Sequence, residues 1–438
     1  MTDVQAAVPT TGGTMSTPTW RSNLTAAELD TRLVGMIIAI AVIWLGFNVL
    51  SGGDFLTARN LWNLSVQSTS IAIMATGMVL IIVSRNIDLS VGSLLGLLGY
   101  IMAMVQTQWI PKTFDLGFDR AYTWIIALAV GMLLGAVAGG VQGFLVGYVK
   151  IPAFIVTLGG FLVFRGLIFR FKQGQTLAPL DKTFQLIGGG TKGSLGDWKS
   201  WLLGGLACAA IVGGLLLARR QRTRYELPVR ATWIDVTIGV LGCGVVIAAV
   251  WVANAYYWPP ALATQYAKDH GITEPAGGLK ISTGVAYPVV ILIGVTLVMT
   301  YLARRRRFGR YVYAIGGNPP AAELGGINTR RIIMMTFVLM GVLCAVSAAV
   351  QTARLNAAVT NLGVQNELDV ISAAVIGGTS FAGGVGTIPG AVLGAVIMQS
   401  LRSGMVLLKV DSPTQDIVVG IVLVAAVGLD SLRNRRGT

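Results

Sequence analysis

Apolar runs of about 20 residues, each long enough to cross a bilayer as a helix, alternate along the chain with short polar segments. They fall near 33–50, 65–83, 88–106, 122–148, 152–171, 201–218, 233–252, 286–302, 332–352, 370–383, 388–408 and 415–431. The tenth is short and runs into Gly377, Gly378, Gly383, Gly384 and Gly386, so a broken or re-entrant helix is expected there. The pattern predicts an all-α transmembrane bundle of about twelve spans.

Charge orients that bundle. Basic clusters stand at Arg219, Arg220, Arg222 and Arg224, at Arg304 to Arg307 with Arg310, at Arg330 and Arg331, and at Arg433, Arg435 and Arg436. Even numbers of spans separate them, and Arg21 and Arg32 lie six spans before the first, so all share one face. Short positive loops stay cytoplasmic, which puts both termini inside. Residues 1–31 read as a disordered cytoplasmic tail and 433–438 as a second tail, around a single membrane domain over 32–432. The long outer segments 172–200 and 253–285, with Gly188-Gly189-Gly190 and Trp258-Pro259-Pro260, read as irregular loops.

Composition narrows the class. Of 438 residues 54% are hydrophobic and 12% charged, with mean hydropathy +0.71, where a soluble domain carries about 25% charge. Soluble enzymes, disordered regulators and disulfide-stapled secreted domains are excluded. The net charge of +14 follows lipid topology rather than nucleic acid. Cys208, Cys243 and Cys344 lie in apolar runs without metal-type spacing, so neither disulfide nor metal site is expected. His270, the single histidine, sits in a polar loop, which leaves no histidine relay. No Gly-Lys dipeptide occurs, so the chain lacks a P-loop; GxSxG, HExxH and CxxC are absent as well. No catalytic constellation is present.

Four features are candidates for function. Gly131, Gly135, Gly139, Gly143 and Gly147 repeat every four residues and line one helix face with bare backbone, for close packing or for a ridge that rocks during transport; the spacing recurs at Gly92 and Gly96 and at Gly386, Gly390 and Gly394. Asn86, Asp88 and Ser90 follow the second span, where Asp88 is expected to open a helix and cap it, with Arg85 as an ion partner, or to line the pathway or its inner gate. Pro319 or Pro320 can open a short helix on the inner face and Gly325 or Gly326 can end it, which would make a docking knob for a soluble partner. Around the broken tenth segment, Asn356, Asp369, Thr379 and Ser380 mark either a transport site or, more plainly, an outer ion pair of Arg354 with an acid. Arg165, in mid-span, must face the protein interior or snorkel outward.

The segments Asn86-Ile87-Asp88-Leu89-Ser90-Val91-Gly92, Pro152-Ala153-Phe154-Ile155-Val156-Thr157-Leu158-Gly159, Tyr313-Ala314-Ile315-Gly316-Gly317-Asn318 and Ile376-Gly377-Gly378-Thr379-Ser380-Phe381-Ala382-Gly383-Gly384 resemble the permease subunits of the ribose/xylose/galactoside family of bacterial ABC importers. The likeness runs in family order from about residue 55 to 432. It implies a homodimeric inner-membrane permease that works with a cytoplasmic ATPase, which binds ATP and Mg, and with a periplasmic sugar-binding protein. The permease itself would carry no cofactor. By the same resemblance, 308–331 is the coupling loop, with Asn318, Ala321, Ala322, Glu323, Gly326 and Ile327 at the docking positions. Residues 173–285 add two spans to the ten of the shorter members, and this enlargement resembles the xylose-type branch, implying D-xylose as cargo. A secondary, ion-coupled sugar carrier is the alternative; the loop after span two does not fit the basic motif of such carriers.

Overall fold

The computed structural model describes residues 31–435 except 116, 228–230, 274, 276 and 277. The tail expected over 1–31 lies outside the described residues apart from Thr31, and so do the last three residues of the chain. The described chain is helical, with only the isolated bridges Leu177–Ala358, Ser194–Ala286 and Tyr257–Ser282 in extended structure. In hydrocarbon every backbone N–H and C=O needs an internal partner, and a helix supplies it within one segment.

The elements are α1 (Thr31–Leu50), α2 (Ala58–Val83), α3 (Val91–Met104), α4 (Thr123–Gly147), α5 (Ala153–Arg170), α6 (Asp197–Arg224), α7 (Thr232–Asn254), α8 (Tyr287–Arg305), α9 (Arg307–Gly317), α10 (Pro319–Leu324), α11 (Thr329–Leu355), α12 (Asn366–Ile376), α13 (Ile388–Leu407) and α14 (Ser412–Arg435). Among the described residues ten helices are long and apolar enough to cross a membrane; α12, at 11 residues, is not one of them. α3 runs on as a π-helical stretch over Val105–Thr113 containing Pro111, so a helix occupies part of the expected outer loop. The long outer segments are less irregular than expected, because Pro260 opens a helix over Pro260–Asp269 and Asp181 caps a turn at Lys182–Gln185.

α2 and α3 form the centre, and α11, α12 and α13 surround them. Of the most apolar window of α2, 94% is buried, against 6% for α6. α4 lies antiparallel along α11 through its glycine ridge. A Cβ on Gly139 would collide with the Phe337 carbonyl, one on Gly135 with that of Gly341, and one on Gly143 would come within 2.7 Å of the Met334 Cα. Side chains there would force the backbones apart.

The tenth crossing is a loop followed by half a helix. After α11 the chain turns back at Asn356, which is left-handed at φ 51°, and descends beside α3. There the Leu362 and Gly363 carbonyls abut Gly96 and Gly92. Arg165 of α5 faces the protein interior and donates to the carbonyls of Thr360 (3.1 Å) and Leu362 (3.2 Å), satisfying backbone that no helix satisfies. α12 starts at this depth and spans about 16 Å, half the hydrocarbon thickness. The glycine turn beyond it reaches the end of α2, where Gly384 N–H donates to the Val83 carbonyl at 3.0 Å. The segment from Asn356 to Gly384 thus runs as a loop, half a helix and a glycine turn, and the helix covers 366–376 rather than the expected 370–383.

Candidate functional site

Four helices each contribute a pair of polar residues three positions apart. Residues at i and i+3 share a helix face, and all four pairs turn toward one another: Gln67 and Ser70 from α2, Gln351 and Arg354 from α11, Asn366 and Asp369 from α12, Gln399 and Arg402 from α13. They line a cavity of about 260 Å³ whose apolar wall includes Val66, Ile71 and Val350. The break before α12 is what admits Asn366 and Asp369, since it places the first turn of that helix inside the bundle.

The cavity walls are cross-linked by hydrogen bonds. Arg402 donates twice to Asp369 Oδ1, at 2.9 and 3.2 Å, and lies 3.6 Å from Asp416, which in turn accepts from Gln365. Gln399 donates to Gln67 Oε1 at 2.8 Å. Gln351 Oε1 accepts from Asn366 at 3.2 Å and from Ser70 at 3.3 Å, and the Ser70 hydroxyl shares a 2.7 Å bond with that of Ser347. These contacts leave amide and carboxylate atoms with spare capacity.

Only Asp369 among the pathway residues expected from sequence lines this cavity. Its partner is Arg402, not Arg354; among the described residues Arg354 forms no ion pair. Asn356 lies at the C-terminal end of α11, where its Oδ1 accepts from Leu180 N–H at 2.9 Å. Asn86, Asp88 and Ser90 form a separate knot near the other end of α2. The expected Arg85–Asp88 pair is not formed, because the left-handed Arg85 (φ 63°) turns away and donates to the carbonyls of Gly316 (2.7 Å) and Gly317 (2.9 Å). Nor does Asp88 cap α3. It accepts from the N–H and hydroxyl of Ser90, at 2.9 and 2.7 Å, while helix begins only at Val91, and Gln142 of α4 donates to Ser90 Oγ at 2.9 Å. Asn86 donates to the Ser84 carbonyl. Thr379 and Ser380 are buried in the turn beyond α12. Gln67, Ser70, Gln351, Gln399 and Arg402 were legible only as polar residues at i, i+3 spacing within apolar runs.

The second feature is the short helix α10. Pro319 and Pro320 occupy its first turn, the Asn318 side chain accepts from Ala321 N–H at 3.1 Å, and Gly325 with left-handed Gly326 (φ +79°) ends it. Ala322 anchors it by burial, Ala321 and Glu323 are exposed, Ile327 is half-buried, and Leu324 is 91% exposed. Glu323 accepts from the Thr329 hydroxyl at 2.7 Å. The adjoining α9 abuts Val83 and Gly384 through Gly316, and its Tyr313 hydroxyl donates to the Gly386 carbonyl at 2.7 Å. One exposed knob thus connects to the end of α2, which lines the cavity, and to the turn that joins α12 and α13, which line it as well.

A family model described as the permease component of branched-chain amino acid transport systems matches residues 60–195 and 244–427. The gap between the two matched segments covers α6 and the first half of α7. The chain is 38% identical to the xylose transport system permease protein XylH of Haemophilus influenzae, over 92% of this chain and 96% of that protein. It is 37% identical to XylH of Escherichia coli, over 99% and 98%. To the ribose import permease RbsC of Escherichia coli it is 30% identical, over 91% and 92%. No solved structure matches significantly. A family model over most of the chain and relatives aligned almost end to end leave one assignment: the chain belongs to the family of multi-pass membrane permeases that includes the bacterial xylose and ribose import permeases.

Proposed function

We propose that this chain is the permease subunit of an ABC importer that carries a monosaccharide, D-xylose, across the bacterial inner membrane. The observation that supports it best is the convergence of four polar i, i+3 pairs on one cavity inside an otherwise apolar bundle. Amide, hydroxyl and carboxylate groups match the paired donors and acceptors of a polyol. Asp369 and Arg402 neutralise each other, which favours a neutral cargo over a zwitterion that needs both charges free. The relatives named for xylose support the choice of sugar.

In this reading the sugar arrives from a periplasmic binding protein, and the polar walls exchange their mutual hydrogen bonds for bonds to its hydroxyls. A second copy of the chain completes the permease. A cytoplasmic ATPase, holding ATP and Mg, docks on α10, and both termini face the cytoplasm. Motion of α10 passes through α9 to the Gly316–Val83–Gly384 contact and so tilts α2 and α12 around the cavity. Asn86, Asp88, Ser90, Thr379 and Ser380, at that end of the cavity-lining helices, form the inner gate. The test is uptake of labelled D-xylose by vesicles holding the permease, its ATPase and its binding protein. Gln67→Ala with Gln399→Ala removes two amides, each worth about 1 kcal/mol as a hydrogen-bond partner. A several-fold rise in the sugar concentration for half-maximal uptake is expected, with unchanged protein in the membrane. Unchanged uptake would place the pathway elsewhere.

A further inference from the structure

α6 and α7 stand apart from the rest of the bundle. α6 packs mainly on α7, and α7 meets the bundle beside the outer end of α2, where Trp62, Val66, Ala253 and Ala286 cluster. Toward the outside the two helices touch closely: Gly204 lies against Val250, and each of Cys208 and Cys243 places its sulfur within 4.0 Å of the other's carbonyl. Toward the basic end they diverge. An aliphatic groove of about 450 Å³ opens between Val212, Leu215 and Leu216 on α6 and Val236, Gly239 and Val240 on α7.

The groove ends in charge. Arg219 closes it, held at 3.3 Å to Asp235 and 2.9 Å to the Thr232 hydroxyl. Beyond lies a second, wider hollow lined by Arg219, Arg220, Gln221 and Arg224. Asp235 neutralises Arg219, while Arg220 and Arg224 are exposed and form no ion pair with a described acid. From Val212 to Arg219 the groove is about 10 Å long, the reach of part of one acyl chain. A helix, about 10 Å across with its side chains, does not fit this volume.

We infer that the α6–α7 hairpin holds an anionic phospholipid, with one acyl chain in the aliphatic groove and the phosphate between Arg220 and Arg224. Arg220 and Arg224 supply the charge complement, and the apolar groove that Arg219 closes, which shares Leu216 and Arg219 with the hollow they line, supplies the chain site. Ordinary boundary lipid needs neither in register with the other. The site belongs to the segment that the family model leaves unmatched, so it is a property of the inserted hairpin rather than of the transport bundle.

Native mass spectrometry of the full chain in mild detergent, titrated with phosphatidylglycerol or with phosphatidylcholine of identical acyl chains, tests this. One phosphatidylglycerol should be retained at a concentration where phosphatidylcholine is not. Arg220→Gln with Arg224→Gln should weaken its retention on the order of thirtyfold, at about 1 kcal/mol for each arginine near an anionic headgroup, without affecting phosphatidylcholine. Gly239→Leu should abolish retention with both arginines intact. A Cβ there meets only Leu215 Cδ1, at 3.4 Å, so the variant fills the groove without moving backbone, and an unchanged melting temperature in lipid-free detergent verifies that it is folded. Equal retention of the two lipids, or retention that survives either variant in folded protein, overturns the proposal.

Discussion

Asp369 and Arg402 hold opposite walls of the polar cavity together, and each is costly without the other. The carboxylate is 5% exposed and the guanidinium 21%. Asp369→Asn leaves Arg402 with only the more exposed Asp416 at 3.6 Å, so its partly buried charge is incompletely compensated. A fully buried pair broken in this way costs about 3–5 kcal/mol, and residual exposure reduces that here to about 2 kcal/mol. Thermal unfolding in detergent should show a clear drop for Asp369→Asn and recovery on adding Arg402→Gln; no drop would mean that the pair contributes nothing to the bundle. Asp88 tests the other knot. Asp88→Asn retains a carbonyl oxygen to accept from Ser90 N–H, while Asp88→Ala strands that donor in a buried site at a cost of about 1–3 kcal/mol. Alanine should therefore lower the melting temperature more than asparagine does, and an equal effect of the two would show that the charge, not the turn, matters.

At the scale of elements, the glycine ridge of α4 and the knob α10 respond to mutation in opposite ways. Gly139→Leu drives a side chain into the Phe337 carbonyl and so separates α4 from α11. Expression and melting temperature should both fall, by the 1–3 kcal/mol or more that overpacking costs; normal values for both would count against the contact. Glu323→Arg changes an exposed position whose single contact is the Thr329 hydroxyl, at 2.7 Å, and the protein should still insert and melt normally. If α10 docks the ATPase as proposed, uptake driven by the ATPase should nevertheless be lost, because the changed charge would then face that partner. Full uptake by that variant would remove α10 from the coupling path.

For the whole molecule, the arrangement joins a cavity toward the C-terminal ends of α11 and α13 to a knob at the opposite end of the bundle, through α2, α12 and α9. In the proposed function the energy comes from a partner ATPase. Sugar uptake by the assembled system should survive an uncoupler and stop when the partner ATPase is catalytically disabled. Uncoupler-sensitive uptake without any ATPase would instead identify an ion-coupled carrier.

The extent to which this could be read before folding follows from how far each signal travels along the chain. Helix crossings were legible because the bilayer constrains every residue of a segment locally: α4, α5, α7 and α13 end within two residues of their expected limits. The caps of α10 and the bare face of α4 were legible for the same reason, since Pro, Asn and Gly act on their own turn. The partners of the charged residues were not. Arg85 could have paired with Asp88, and Arg354 with an acid, on sequence distance alone. Which pairs form depends on chain reversals: left-handed Arg85 points to Gly316, and the re-entry after Asn356 delivers Asp369 to Arg402, 33 positions away. The cavity has the same origin. Each helix carries its own i, i+3 polar pair, a local fact written in the sequence, but that the four pairs share one space is decided by how close the glycines let the backbones come and by where α12 begins. Amino-acid order determined most of the spans and the family; tertiary packing alone decided which polar side chains meet and how the tenth apolar segment is broken, because both depend on distances between segments that no single segment encodes.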